Sequence, residues 1–260
     1  MSELIFFANP LLLPLVLVVV LTLAIEFPFR FARAWLPDEV VDKDSWNTVQ
    51  AGLITLAAFV LSLSFSQASA RFDVRRELVV KEANAIGTTW LRADQLPSAQ
   101  AKRFRQILTD YTAKRLESDE TPEDQPAFYE IIRQANLDQD RLWAIVSPAL
   151  REHPYLGLSL LMQTLNDTID VSGEQVQALI EHVPTAILTL MLLLLTLAML
   201  STGIRFARDR SRPVFLSTLF VFACVVVVSM VVDYDRPQSG FVKVDLRPMQ
   251  VQLASMREAP

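Results

Sequence analysis

Four stretches of the chain carry no charge. Glu3 and Glu26 bracket 22 uncharged residues, Asp44 and Arg71 bracket 26, His182 and Arg205 bracket 22, and Arg212 and Asp233 bracket 20. A helix rises about 1.5 Å per residue and the hydrocarbon of a bilayer is about 30 Å thick, so each stretch is long enough to cross. Lipid offers the backbone no hydrogen bonds, so such runs cross as helices. The pattern predicts four transmembrane helices with both termini on one side. The first run reads as a retained span rather than a cleaved secretory signal, because the residues before it include Glu3 and neither Lys nor Arg.

The segment between the second and third spans reads as helical throughout. Apolar residues recur at helical spacing from Leu78 to Leu91, in Phe104, Ile107, Leu108 and Tyr111, and in Phe128, Ile131 and Ile132. They continue in Leu142, Ile145 and Val146, then in Leu158, Leu161, Met162 and Leu165. Pro97, "SDETPEDQP" (118–126) and "REHPYLG" (151–157) break these runs into separate helices. In the tail, "GFVKVDL" alternates briefly and "RPMQVQLASM" offers a short amphipathic helix. The expected organisation is two spans in 1–70, a helical soluble region in 71–182, two spans in 183–232, and a tail in 233–260 that packs on the soluble region. The fold class is an all-α membrane protein.

The second span has a further property. No glycine or proline occurs between Gly52 and Gly87, so one helix leaves the membrane without a break and couples the two parts of the chain. Along it Thr48, Ala51, Thr55, Ala58, Ser62, Phe65 with Ser66, Ser69 and Phe72 follow a three-four spacing and share one face. Two arrangements explain a small, hydroxylated face. It is a packed seam, since small residues let membrane helices approach and serine hydroxyls bond across or back to their own helix. Alternatively it is a pore wall, wetted by Ser62 and Ser69 and constricted by rings of Phe65 and Phe72. Asp73, Arg75, Arg76 and Glu77 follow as charges at a mouth. A ring of Arg76 favours anions there, and rings of Asp73 and Glu77 oppose it.

Composition removes several other classes. The chain is 52% hydrophobic and 20% charged, with a net charge of −5, which argues against nucleic acid and against a polybasic membrane patch. His153 and His182 lack metal-ligand spacing, and the single cysteine, Cys224, lies in the fourth span as a small apolar packing residue. Glycine-rich phosphate loops and nucleophile elbows are missing, so neither an enzyme nor a bound cofactor is expected. Asp233 and Asp235 are too few for the roughly six to eight oxygens that calcium takes, and read as a solvated helix end before Pro237. Glu77 and Glu82 read as surface partners of Lys81 and Arg76.

Two segments carry a family likeness. "ARFDVRRELVVKEANA" (70–85) resembles the segment after the pore-lining second helix of bestrophin channels, and "DYDRPQSG" (233–240) resembles the acidic-x-acidic-x-Pro-x-x-Gly element after their last span. "EANAIGTTWLRADQLP" (82–97) and "DRPQSGF" (235–241) are closer to the bestrophin-like family of bacterial membrane proteins. This resemblance implies a homopentamer in the bacterial inner membrane, with the second helices around a central axis and a helical soluble region extending the pore. Its partners would be inorganic ions, the lipid bilayer and further copies of the chain.

Orientation stays open. Arg205, Arg208, Arg210 and Arg212 in one short loop, with Arg30, Arg33 and Lys43 in another, put those loops in the cytoplasm and the soluble region outside it. The resemblance implies the reverse, with Arg71, Arg75, Arg76 and Lys81 on the cytosolic side. The expected function is conduction through a pore lined by the second helix. The rival is a membrane-anchored helical scaffold or sensor whose hydroxyl stripe is dry.

Overall fold

A computed structural model of the chain describes residues 12–35, 43–120, 125–236 and 240–259. Among these, eight α-helices follow one another: α1 (Leu12–Trp35), α2 (Lys43–Arg92), α3 (Ser98–Glu120), α4 (Gln125–Glu152), α5 (Leu156–Ile180), α6 (Thr185–Arg208), α7 (Val214–Asp235) and α8 (Arg247–Glu258). A single 3-10 turn, Ala93–Gln95, follows α2. The described residues include no strand, and "GFVKVDL" is irregular. Among the described residues four helical regions are long and apolar enough to cross a membrane, and each contains or overlaps one of the four uncharged runs. Glu3, at the edge of the first run, lies outside the described residues, as does Pro237.

Contacts divide the chain into two compact units, Met1–Ala70 with His182–Phe241 and Arg71–Glu181 with Val242–Pro260. The continuous helix α2 contributes to both.

In the first unit α1 packs chiefly on α6 and also on α7. Its core joins Leu17, Leu21 and Ile25 of α1 to Met191, Leu195 and Met199 of α6, Val221, Val225 and Val228 of α7, and Ala57 of α2. Gly203 marks the closest approach: a Cβ there would lie 2.2 Å from the Ile25 carbonyl oxygen and 2.8 Å from Pro28 Cγ. Glycine therefore lets the two backbones meet where Pro28 interrupts the hydrogen bonding of α1. A polar contact completes the packing, with Gln50 Nε2 donating to Thr202 Oγ1 (3.0 Å) and Arg205 donating to Gln50 Oε1 (3.3 Å). Outward positions such as Leu15, Leu23, Phe215, Leu219 and Phe222 stay exposed, as a lipid-facing surface requires.

The second unit is built on α3, which packs against α4 and α8, while α4 also packs on α5. Its buried apolar positions follow the three-four spacing of the sequence: Phe104, Leu108 and Tyr111 on α3, Leu142 and Val146 on α4, and Leu158, Leu161 and Leu165 on α5. The tail helix α8 inserts Met249, Leu253 and Met256 into the same interior.

Candidate functional site

Within the first unit α2 has two distinct faces. Gln50, Ala57, Ser64 and Ala68 are buried against the rest of the chain. Thr55, Ala58, Ser62 and Ser66 are exposed, and Ser69 is half-buried. Their hydroxyls also behave differently. Buried Ser64 donates back to the Val60 carbonyl (2.8 Å), whereas among the described residues Thr55, Ser62, Ser66 and Ser69 have no hydrogen-bond partner. A hydroxyl left in hydrocarbon without a partner costs free energy. These side chains therefore call for water or a neighbouring protein surface.

The two aromatic residues expected to constrict the stripe are placed otherwise. Phe65 is half-buried, with its ring edge-on to Tyr234 at 5.7 Å between centroids, in a cluster with Ala68, Val183 and Val231. Phe72 belongs to the second unit and is only 9% exposed. Little of its ring is left free, which differs from the expectation of a constricting side chain open to a pore. The period of a helix groups residues on a face, and Phe72 sits at the edge of that face where the chain's own packing covers it.

The mouth charges separate in the same way. Asp73, Arg76 and Glu77 are exposed, and Glu77 pairs with Lys81 at 2.9 Å, one turn on, as expected from the sequence. Arg75 is only 2% exposed. Its Nε donates to the Ala178 carbonyl (2.9 Å) and its Nη2 to the Glu181 carbonyl (2.7 Å), so the guanidinium satisfies carbonyls left open at the C-terminal end of α5. Beside it Arg71 binds the Glu181 carboxylate at 3.2 Å. Hydrogen bonding from Gln177, helped by Arg71, holds that carboxyl below its ordinary value.

The element after the fourth span is structural as well. Asp235 Oδ1 accepts the Val183 backbone N–H (2.8 Å) just ahead of α6, and His182 Nδ1 lies 3.4 Å from its other oxygen. Asp233 Oδ1 accepts the Phe241 N–H at 2.7 Å. A Cβ on Gly240 would lie 2.1 Å from that same oxygen, so the glycine of "DYDRPQSG" is there to let the carboxylate close over the chain. The expectation of a solvated helix end gives way: Asp235 is 9% exposed and acts as a tertiary cap. Among the described residues no group of three or more His, Cys, Asp or Glu side chains is arranged to hold a metal ion.

Glu82 requires the largest correction. Instead of pairing on the helix surface it is fully buried, and binds Arg115 of α3 through both carboxylate oxygens at 2.7 and 3.2 Å. The sequence held a signal for this, since Glu82 falls on the same apolar face as Leu78, Val79 and Ile86, where a charge has to find a buried partner.

A family profile for the Bestrophin-like domain matches residues 15–249. No curated protein matches the chain. Among solved structures, the chain is similar to a bacterial bestrophin homologue from Klebsiella pneumoniae carrying a leucine-to-threonine substitution. The TM-score is 0.66 at 14% identity, covering 96% of this chain and 99% of the other. A further crystal structure of the Klebsiella pneumoniae homologue gives 0.64 at 14% identity over 95% and 96%. At this identity the likeness shows the fold alone, which is the bestrophin-type channel fold.

Proposed function

Because the chain belongs to the Bestrophin-like domain family, which it matches over residues 15–249, we propose that it is a homo-oligomeric ion channel of a bacterial inner membrane, with a pore lined by α2. The observation that carries this reading is the exposed face of Thr55, Ala58, Ser62 and Ser66, whose hydroxyls have no partner among the described residues. One copy of such a face makes no conduit, but several around an axis enclose a wet path in which hydroxyls replace part of an ion's hydration. Five copies is the number that the family resemblance implies.

Phe72 is largely buried and offers little surface to this wall, and half-buried Phe65 borders it with its ring edge-on to Tyr234. At the mouth, Arg75 is occupied in capping α5 and Glu77 is paired with Lys81, which leaves Asp73 and Arg76, the latter also acting on Asp245. One charge of each sign per chain gives these side chains little power to choose the sign of the ion.

The test is current through the purified protein in planar bilayers under a salt gradient, with Ser62→Trp as the blocked form. Discrete currents abolished by the tryptophan support a pore along α2, and their reversal potential gives the sign of the ion. Silence from folded oligomer, together with protection of a Ser62→Cys, Cys224→Ala variant from a water-soluble thiol reagent, rejects the pore in favour of a dry seam in a scaffold.

A further inference from the structure

The second unit encloses a cluster of ionisable groups that the proposed pore does not use. Glu82, Arg115, Asp119 and Gln175 are each at most 1% exposed. Arg115 gives Nε and Nη2 to Glu82 and Nη1 to Ser118 Oγ (2.8 Å), while Tyr111 donates to Glu82 Oε1 (3.2 Å). Gln139 of α4 reaches Tyr111 and Ser172 at the margin. Arg115 is thereby largely used up by Glu82, and its approach to Asp119 Oδ1 is 3.7 Å.

Two facts about Asp119 stand out. Two carboxylates and one guanidinium leave this buried cluster with one uncompensated negative charge, an arrangement that burial strongly disfavours. Moreover, Gln175 Nε2 donates to Asp119 Oδ2, yet Asp119 Oδ1 and Gln175 Oε1 are both buried acceptors with no hydrogen-bond donor. A single proton answers both. On the Asp119 carboxyl it cancels the excess charge, and it turns an acceptor-only group beside the Gln175 amide into one that can also donate, as Gln175 Oε1 requires.

We propose that Asp119 is a proton-binding site, and that the bound proton fastens α3 to α5 through Gln175 while its release loosens that contact. The ionisable groups acting on Asp119 are few. Burial is the largest influence and pushes its carboxyl up to about 7; Arg115 pulls it down, Glu82 pushes it up, the Gln175 hydrogen bond lowers it and exposed Glu120 raises it. Burial also pushes the Tyr111 hydroxyl far above the ordinary phenol range, so it stays protonated. Among the described residues the neighbouring helices add no further ionised group: α4 brings Gln139, with Asp138 already bound by Lys114 and Arg141, and α8 brings Met256.

The sign follows from linkage. An ordinary carboxyl in the unfolded chain releases its proton near 3.8, whereas the folded chain keeps this one up to about 7. Between those values the folded state holds the extra proton, so its stability falls as pH rises across the window, by up to about tenfold in the folding equilibrium per pH unit, and levels off above it.

The experiment is thermal unfolding of the full chain in detergent from about pH 5.5 to about pH 8.5, wild type against Asp119→Asn. Asparagine supplies a permanent N–H to Gln175 Oε1 and carries no charge. The wild-type melting temperature is expected to fall with pH, and that of the variant to lose most of this slope and to equal or exceed wild type at the alkaline end. Parallel profiles overturn the proposal. If the variant does not fold, infrared titration of the wild type decides: a protonated carboxylic acid band that disappears near neutral pH supports the site, and its absence at about pH 6 refutes it.

Discussion

Replacing Gly203 by alanine tests the packing of the membrane unit. The added Cβ would sit 2.2 Å from the Ile25 carbonyl oxygen, 3.0 Å from the carbon that bears it, and 2.8 Å from Pro28 Cγ. The nearest obstruction is main chain and the other is a rigid proline ring, so no rotamer change relieves it, and α1 and α6 must part. A gap of about 0.5–1 Å forfeits roughly a quarter to a half of each atom pair's dispersion energy, and here it opens beside the cluster of Leu21, Ile25, Leu195 and Met199. Overpacking of this kind costs about 1–3 kcal/mol, and a rigid neighbour puts the cost at the upper end. Alanine recovers about 1 kcal/mol of helix propensity, leaving a net loss of about 2 kcal/mol. Gly173 is the internal control, because a Cβ there meets nothing within 4 Å and the same substitution keeps only the propensity gain. Thermal unfolding of the full chain in detergent should show the Gly203 variant melting lower by roughly 4–8 °C and the Gly173 variant unchanged or higher. Equal shifts at the two positions would refute the argument from close approach.

Two further substitutions address residues whose place the fold decided. Arg75→Met leaves the Ala178 and Glu181 carbonyls without their donor and should destabilise the second unit by about 2–4 kcal/mol, read by chemical denaturation, with Arg75→Lys recovering part of the loss. A Met variant as stable as wild type would remove the capping role. Gly240→Ala forces the Asp233 carboxylate away from the Phe241 N–H and should lower the melting temperature. Because the clash is with Asp233, combining it with Asp233→Ala should cost less than the sum of the two single changes; full additivity would contradict the contact.

The sequence by itself determined the spans, the unbroken second helix and the family. An uncharged run of about 20 residues has one stable backbone form in lipid, so counting charges was enough to find α1, the membrane part of α2, α6 and α7. The absence of glycine and proline from 53 to 86 likewise sufficed for the continuity of α2, since helix propagation is a local property. The hydroxyl stripe was legible because a three-four spacing defines a face. What spacing leaves undefined is the neighbour that covers each face, and on that point only the tertiary structure could decide. Arg75 and Arg76 are adjacent in sequence, yet one is buried against a carbonyl 103 residues away and the other is exposed. Glu82 and Lys81 differ in the same way, because the partner that neutralises Glu82 lies 33 residues further along on α3. Adjacent positions on a helix point about 100° apart. A charge becomes a structural cap, a buried proton site or a free surface group according to which long-range partner meets it there.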